Sequence, residues 1–297
     1  LVSDWTGTAR LEGLGGNDVV ASANNADFTL SDTLLTRSTG GSFDLVDVGR
    51  AELAGGIADN VFTFTGWNGA GVIDGGIGFD RAVITGGTIA TAVMTFPNVE
   101  KVEVRGGTLD VTGDVVVPRL DLVSGQILGP RTLTVDQTLT WTGGLMGGTG
   151  VTLIATQAIL SIEGAGRKDL TERILRNAGS VSWIGAGPLF AGLGARIENL
   201  ADALVNLRAE ARINALPGGP IAEIVNDGVF VKATNTVANA ANPFVIEIGF
   251  LNRNLVQVAR AGFSVSTNTL FLAGPFRNFV NQTLTGGRYL VQGTLQW

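Results

Sequence analysis

The phrases Leu175-Arg176-Asn177, Ile197-Glu198-Asn199, Ile224-Val225-Asn226, Phe250-Leu251-Asn252 and Phe279-Val280-Asn281 repeat one apolar-x-Asn triplet, at steps of 22, 27, 26 and 29 residues. Periods of this size belong to solenoids, in which each repeat is one turn that buries its apolar face only against its neighbours. Residues two apart in a strand face the same side, so each Asn shares an inward face with the apolar residue before it. Stacked one per turn, such side chains bond to one another or to turn backbone, satisfying groups otherwise buried unpaired. Asn206, Asn239 and Asn278 also follow an apolar residue by two positions but fall off the series. The triplets therefore predict an inner asparagine ladder that ends at Asn281.

The first half repeats a different phrase. Thr88-Ile89, Thr108-Leu109, Thr132-Leu133 and Thr152-Leu153 follow one another at steps of 20, 24 and 20 residues. Glycine, 43 of 297 residues and about twice its usual ~7% share, punctuates short Val, Ile, Leu and Thr runs throughout. The fold expected is all-β, a right-handed parallel β-helix of about twelve coils, handed as crossovers between parallel strands are. Residues 1–84 read as Gly/Asp-rich N-terminal coils and 85–297 as regular coils of one continuous solenoid. One stretch competes: Ile197, Leu200, Leu204 and Leu207 have helical spacing, whereas 205–214 alternates strictly between apolar and polar residues. Unbroken alternation between glycine-punctuated runs favours strand.

Composition excludes several classes. At 45% hydrophobic and 15% charged, with mean hydropathy +0.31, the chain buries enough apolar surface to fold, unlike Gly-rich disordered chains. A net charge of −6 without any basic run argues against nucleic acid. With no Cys, disulfides and thiolate sites are excluded; with no His, most catalytic triads and zinc sites go too. The longest uncharged stretch, 137–162, holds too much Gly, Thr and Ser for a spanning helix. Tyr289, Val291, Leu295 and Trp297 alternate with Leu290, Gln292, Thr294 and Gln296, which admits a barrel-strand reading, but one Tyr and 7% aromatics are too few for interfacial girdles. The start at Leu1, without a basic and then apolar leader, reads as a fragment of a longer protein.

The N-terminal quarter has its own texture. Gly13-Leu14-Gly15-Gly16-Asn17-Asp18-Val19-Val20, Gly55-Gly56-Ile57-Ala58-Asp59-Asn60-Val61-Phe62 and Gly75-Gly76-Ile77-Gly78-Phe79-Asp80-Arg81-Ala82 approach G-G-x-G-x-D-x-U-x with departures in each copy. In the intact motif glycines turn the backbone sharply and expose carbonyls, while Asp offers a carboxylate to Ca²⁺. With Phe96-Pro97-Asn98-Val99-Glu100-Lys101-Val102 and Gly106-Gly107-Thr108-Leu109, these phrases resemble secreted bacterial repeat proteins. Those combine glycine-aspartate blocks with filamentous-haemagglutinin-like parallel β-helices. The resemblance is specific over about residues 11–110. It implies an exported, cell-surface or extracellular stalk or adhesin. The metal expectation is Ca²⁺ at Asp18, Asn60 and Asp80, weakened because calcium rolls need consecutive nonapeptides; no other cofactor is expected.

Three function classes follow. The favoured one is a non-catalytic structural rod or adhesive segment, partnered by itself or by flanking repeats of the same polypeptide, and assembling through open end coils into filaments. The second is a polysaccharide-degrading β-helix enzyme, which would use clustered carboxylates: Asp44 with Asp47, or Asp110 with Asp114 and Asp121. The third is a glycan-binding module in which Trp67, Trp141, Trp183 or Trp297 stack on sugars, against the commoner use of Trp as packing.

Overall fold

Short strands with an apolar residue at every second position can bury only one face, and a stack of parallel coils buries it continuously. The computed structural model describes residues 1–233, 243–260 and 268–297; Asn239 lies outside them. Every regular element among the described residues is a strand, and none is a helix. The chain is a parallel β-solenoid of about ten turns. It divides into two compact units, Leu1–Arg131 and Thr132–Trp297.

In the second unit successive turns stack their strands into three columns. The first holds the opening half of Thr132–Trp141, then Val151–Ile154, Ile174–Asn177, Arg196–Asn199, Glu223–Asn226 and Gly249–Asn252. The second holds the closing half of that strand, then Ile159–Ile162, Ser180–Trp183, Leu204–Leu207, Val229–Lys232, Leu255–Val258 and Arg288–Val291. The third runs from Gly144–Met146 through Lys168–Thr171, Leu189–Gly192, Arg212–Ala215, Phe244–Ile246 and Thr269–Leu272 to Thr294–Gln296. All of these pairings are parallel, including those of the C-terminal strands whose alternation suggested a barrel. The contested stretch is strand, in two pieces, Leu204–Leu207 and Arg212–Ala215, because a corner falls between them. Ala209 and Ala211 are buried at that corner.

The ladder forms, with one correction. Asn177, Asn199, Asn226 and Asn252 share a single register position. Each Nδ2 donates to the next Oδ1, at 2.8, 2.7 and 2.8 Å. The second N–H of Asn177, Asn199 and Asn226 donates to Leu204 O, Val229 O and Leu255 O respectively, at 3.1 to 3.2 Å. The terminal rung is Asn278 rather than Asn281. Phe276 bridges Phe250, which puts Asn278 level with Asn252. Asn252 N donates to Asn278 Oδ1 at 2.6 Å and Asn278 Nδ2 returns to Asn252 O at 2.8 Å. Asn281 instead sits in the turn of the Phe279–Val280 and Thr283–Leu284 hairpin, exposed, with φ +50°.

The first unit stacks Val61–Gly66, Arg81–Gly86, Lys101–Val104 and Val115–Leu122 in parallel. A second column holds Val19–Ala23, Arg50–Ala54, Ala70–Asp74 and Met94–Thr95. A third holds Thr88–Ala90, Thr108–Asp110 and Gln126–Leu128. Thr88-Ile89 and Thr108-Leu109 align as expected, but the rung after them is Gln126-Ile127. Thr132-Leu133 belongs to the first column of the second unit, and there Leu133 pairs with Thr152, one residue off the expected match. Thr152 points inward because its hydroxyl accepts Arg173 Nε at 2.8 Å.

Parallel stacking is interrupted near the N-terminus. Phe28–Ser31 pairs antiparallel with Leu34–Arg37, which pairs antiparallel with Ser42–Val46; that strand pairs parallel with Thr8–Glu12. Arg37, buried, ties this hairpin to the first residues through Gly40 O, Ser22 Oγ, Asn24 and Trp5 O.

Asn226→Ala removes three ladder bonds and orphans buried partners on both sides, so it should cost about 3 kcal/mol, whereas Asn281→Ala loses only the tolerance of Asn for a positive φ and should cost about 1 kcal/mol. Urea denaturation of both variants measures the difference; equal losses would remove the ladder as a stabilising feature.

Candidate functional site

The glycine-aspartate blocks place their polar residue at an inward corner of the first unit. Asn60 and Asp80 precede aligned strands, since Val61 pairs with Arg81. Gly56 N donates to Asn60 Oδ1 at 2.8 Å, Asn60 N to Asp80 Oδ1 at 2.6 Å, and Asp80 N to Glu100 Oε2 at 2.6 Å. The residues at 60, 80 and 100 thus form a side-chain-to-backbone column with one member per coil. Glycine is required beside it: a Cβ on Gly75 would lie 1.9 Å from Asn98 O and 2.7 Å from Asp80 Oδ2.

Asp18 is not part of this column. It precedes Val19–Ala23, a strand of the second column, and its Oδ2 is buried without a hydrogen-bond partner. The three predicted ligands therefore do not converge, and the arrangement does not fit calcium. Ca²⁺ takes six to eight oxygens, yet Oδ1 of both Asn60 and Asp80 is already engaged as a turn acceptor. Among the described residues no three carboxylates gather into a metal-holding group.

Asp80 remains chemically distinctive. It is 0% exposed, and Oδ2 has no partner. Burial raises its pKa, with the charges of Glu100, Asp59 and Asp74 adding to the effect, against the hydrogen bond from Asn60 N.

Of the carboxylates weighed for catalysis, Asp110 ends the strand Thr108–Asp110 and Asp121 lies in Val115–Leu122, a strand of another column. Asp44 is exposed on Ser42–Val46, and Asp47 follows that strand at φ +53°. Asp121 is held by Lys101 Nζ at 2.6 Å. Lys101 also reaches Glu103, which Arg81 and Arg105 flank on the outer surface of Lys101–Val104. Glu103 is 1% exposed; burial alone would raise its pKa, but Arg105 and Lys101 hold it below the ordinary carboxylate range. Trp67, Trp141 and Trp183 are buried in the core, and only Trp297 of the four is open, packed against Phe276 and Phe279.

Sequence reasoning missed the buried cations. Lys168 and Lys232 are fully buried, their Nζ atoms donating to Gly166 O at 2.9 Å and Ala233 O at 3.0 Å. Burial lowers both, Lys232 to about 8 against the opposing charge of Glu210. Strand parity carried the signal, since Lys168 lies two residues before buried Leu170 and Lys232 two after buried Phe230. Comparison with protein-family models, curated proteins and solved structures finds no match to this chain.

Because the native carboxyl of Asp80 titrates above its unfolded counterpart, its contribution is complete below the unfolded pKa and is lost as pH rises through the native one. Asp80→Asn keeps the acceptor for Asn60 N and removes the buried charge. Thermal melts in chelator should show the variant a few degrees more stable at pH 8 and level with the parent near pH 4. Equal destabilisation at both values would contradict this reading of the corner.

Proposed function

We propose that the chain is a non-catalytic structural rod or adhesive segment of an exported bacterial surface protein, associating with itself or with flanking repeats. The observation supporting this most is where the interior polar groups are spent. The asparagine ladder and the Asn60–Asp80–Glu100 column bond each coil to the next, as a load-carrying stack requires. Export and surface location rest on the resemblance of residues 11–110 to secreted repeat proteins. No helix among the described residues is long and apolar enough to cross a membrane.

The dispersed carboxylates do not favour the enzyme reading. Asp44 and Asp47 are exposed on and just after Ser42–Val46, and Asp121 is committed to Lys101. Burial of Trp67, Trp141 and Trp183 does not favour sugar stacking along one side. Incubation with neutral and acidic polysaccharides should yield no new reducing ends and no unsaturated uronate absorbance. Release of either above buffer would overturn the proposal in favour of a polysaccharide-degrading enzyme.

A further inference from the structure

One face of the second unit carries no charge. In its second column Thr140, Ser161, Ser182, Asn206, Val231 and Gln257 share one outward position on six successive coils. Two residues earlier on each strand runs a parallel row that is mostly aliphatic, with Ile159 exposed and Leu204, Val229 and Leu255 half-buried. The strip looks sideways from the stack, so its exposure does not depend on which coil is first or last.

The other two columns differ. Glu198 pairs with Arg176 and Arg196 on the outer side of the first. On the third, Asp169 is held by Arg167 and Arg212 by Glu247. On the second, charge resumes only beyond the strand ends, as at Asp202 and Asp227 before them and Glu163 and Arg208 after them.

The dimensions limit what can lie there. Five rises of ~4.8 Å make the strip roughly 24 Å long, and its two rows stand about 7 Å apart. That is far smaller than the about 800 Å² each partner buries in a stable protein contact, but it suits one extended polymer lying along the stack. Hydroxyl and amide side chains offer both donors and acceptors, and the aliphatic row offers contact to C–H edges. An uncharged sugar chain presents both kinds of surface, whereas a charged polymer finds no counter-charge on the strip.

We propose that this strip binds an uncharged linear polysaccharide, running across the strands so that successive sugars meet successive coils. The proposal rests on the adhesive form of the reading above and names its ligand class. Trp141 and Trp183 are turned into the core, so contact comes from the aliphatic row and from hydrogen bonds, without ring stacking.

Depletion of the full chain onto cellulose and chitin, with affinity electrophoresis in a soluble neutral β-glucan and in a mannan, tests the site. At least one of these polymers should retain the chain and stay uncut. Raising salt from about 50 to roughly 500 mM should leave retention unchanged, because no charge is there to screen. Ser182→Lys with Asn206→Lys sets unpaired charge against the sugar and should weaken retention about tenfold or more with circular dichroism unchanged. Asn214→Lys, outward on the third column, should not alter it. No retention by any of these polymers, retention that salt weakens, equal loss in Asn214→Lys, or no loss in the double variant would overturn the site. So would a self-associated species in sedimentation that the double variant abolishes, since the strip would then be binding protein. If nothing is retained and nothing is cut, the structural reading survives and this site falls; cutting would instead overturn the structural reading.

Discussion

Stacked coils leave their inward polar groups nowhere to turn except along the stack. An Asn side chain buried in a strand must find both donors and acceptor inside the protein, because leaving any of them unmade costs about 1–3 kcal/mol. The second unit meets this by placing Asn177, Asn199, Asn226 and Asn252 at one register position, so each amide is the next one's partner. That requirement fixes register more firmly than apolar stacking does. A one-residue slip would turn apolar and amide side chains alike to the wrong face, but a two-residue slip keeps every face and still sets each ladder amide beside an apolar residue of the next coil.

The first unit solves the same problem differently. Its inward polar residues bond to backbone N–H groups of the adjacent coil, Asn60 N to Asp80 and Asp80 N to Glu100. This gives the degenerate glycine-aspartate blocks a structural role. Gly75 and Asp80 are needed for close packing and for the turn, and neither role requires metal. Asp80 carries a burial cost because only one of its oxygens is used.

Much of the fold was legible because periodicity reports stacking directly. The apolar-x-Asn triplets located four of the five ladder rungs. The fifth was misplaced because Phe276-Arg277-Asn278 and Phe279-Val280-Asn281 carry the same pattern three residues apart. Nothing local reveals that a hairpin claims the second. The antiparallel Phe28–Ser31 and Leu34–Arg37 pair was missed for a related reason: alternation has no direction, so parallel and antiparallel strands read alike. The candidate site was less legible. Lys168 and Lys232 are conventionally surface residues, and only strand parity could have turned them inward. Glu100 joined the column through three-dimensional alignment, outside any glycine-aspartate block.

Charge separation adds a second level of organisation, acidic over residues 1–49 and basic over 249–297. It is independent of the ladder, which carries no net charge. The parallel stack itself is tested most directly by pair distances between spin labels at Ser161, Ser182, Asn206, Val231 and Gln257, which share one outward register position on successive coils. Labels paired with Ser161 should separate by about 4.8 Å for each added coil, reaching roughly 19 Å at Gln257. Distances that fail to grow with coil number, as in antiparallel hairpins closing into a sandwich or barrel, would contradict the account.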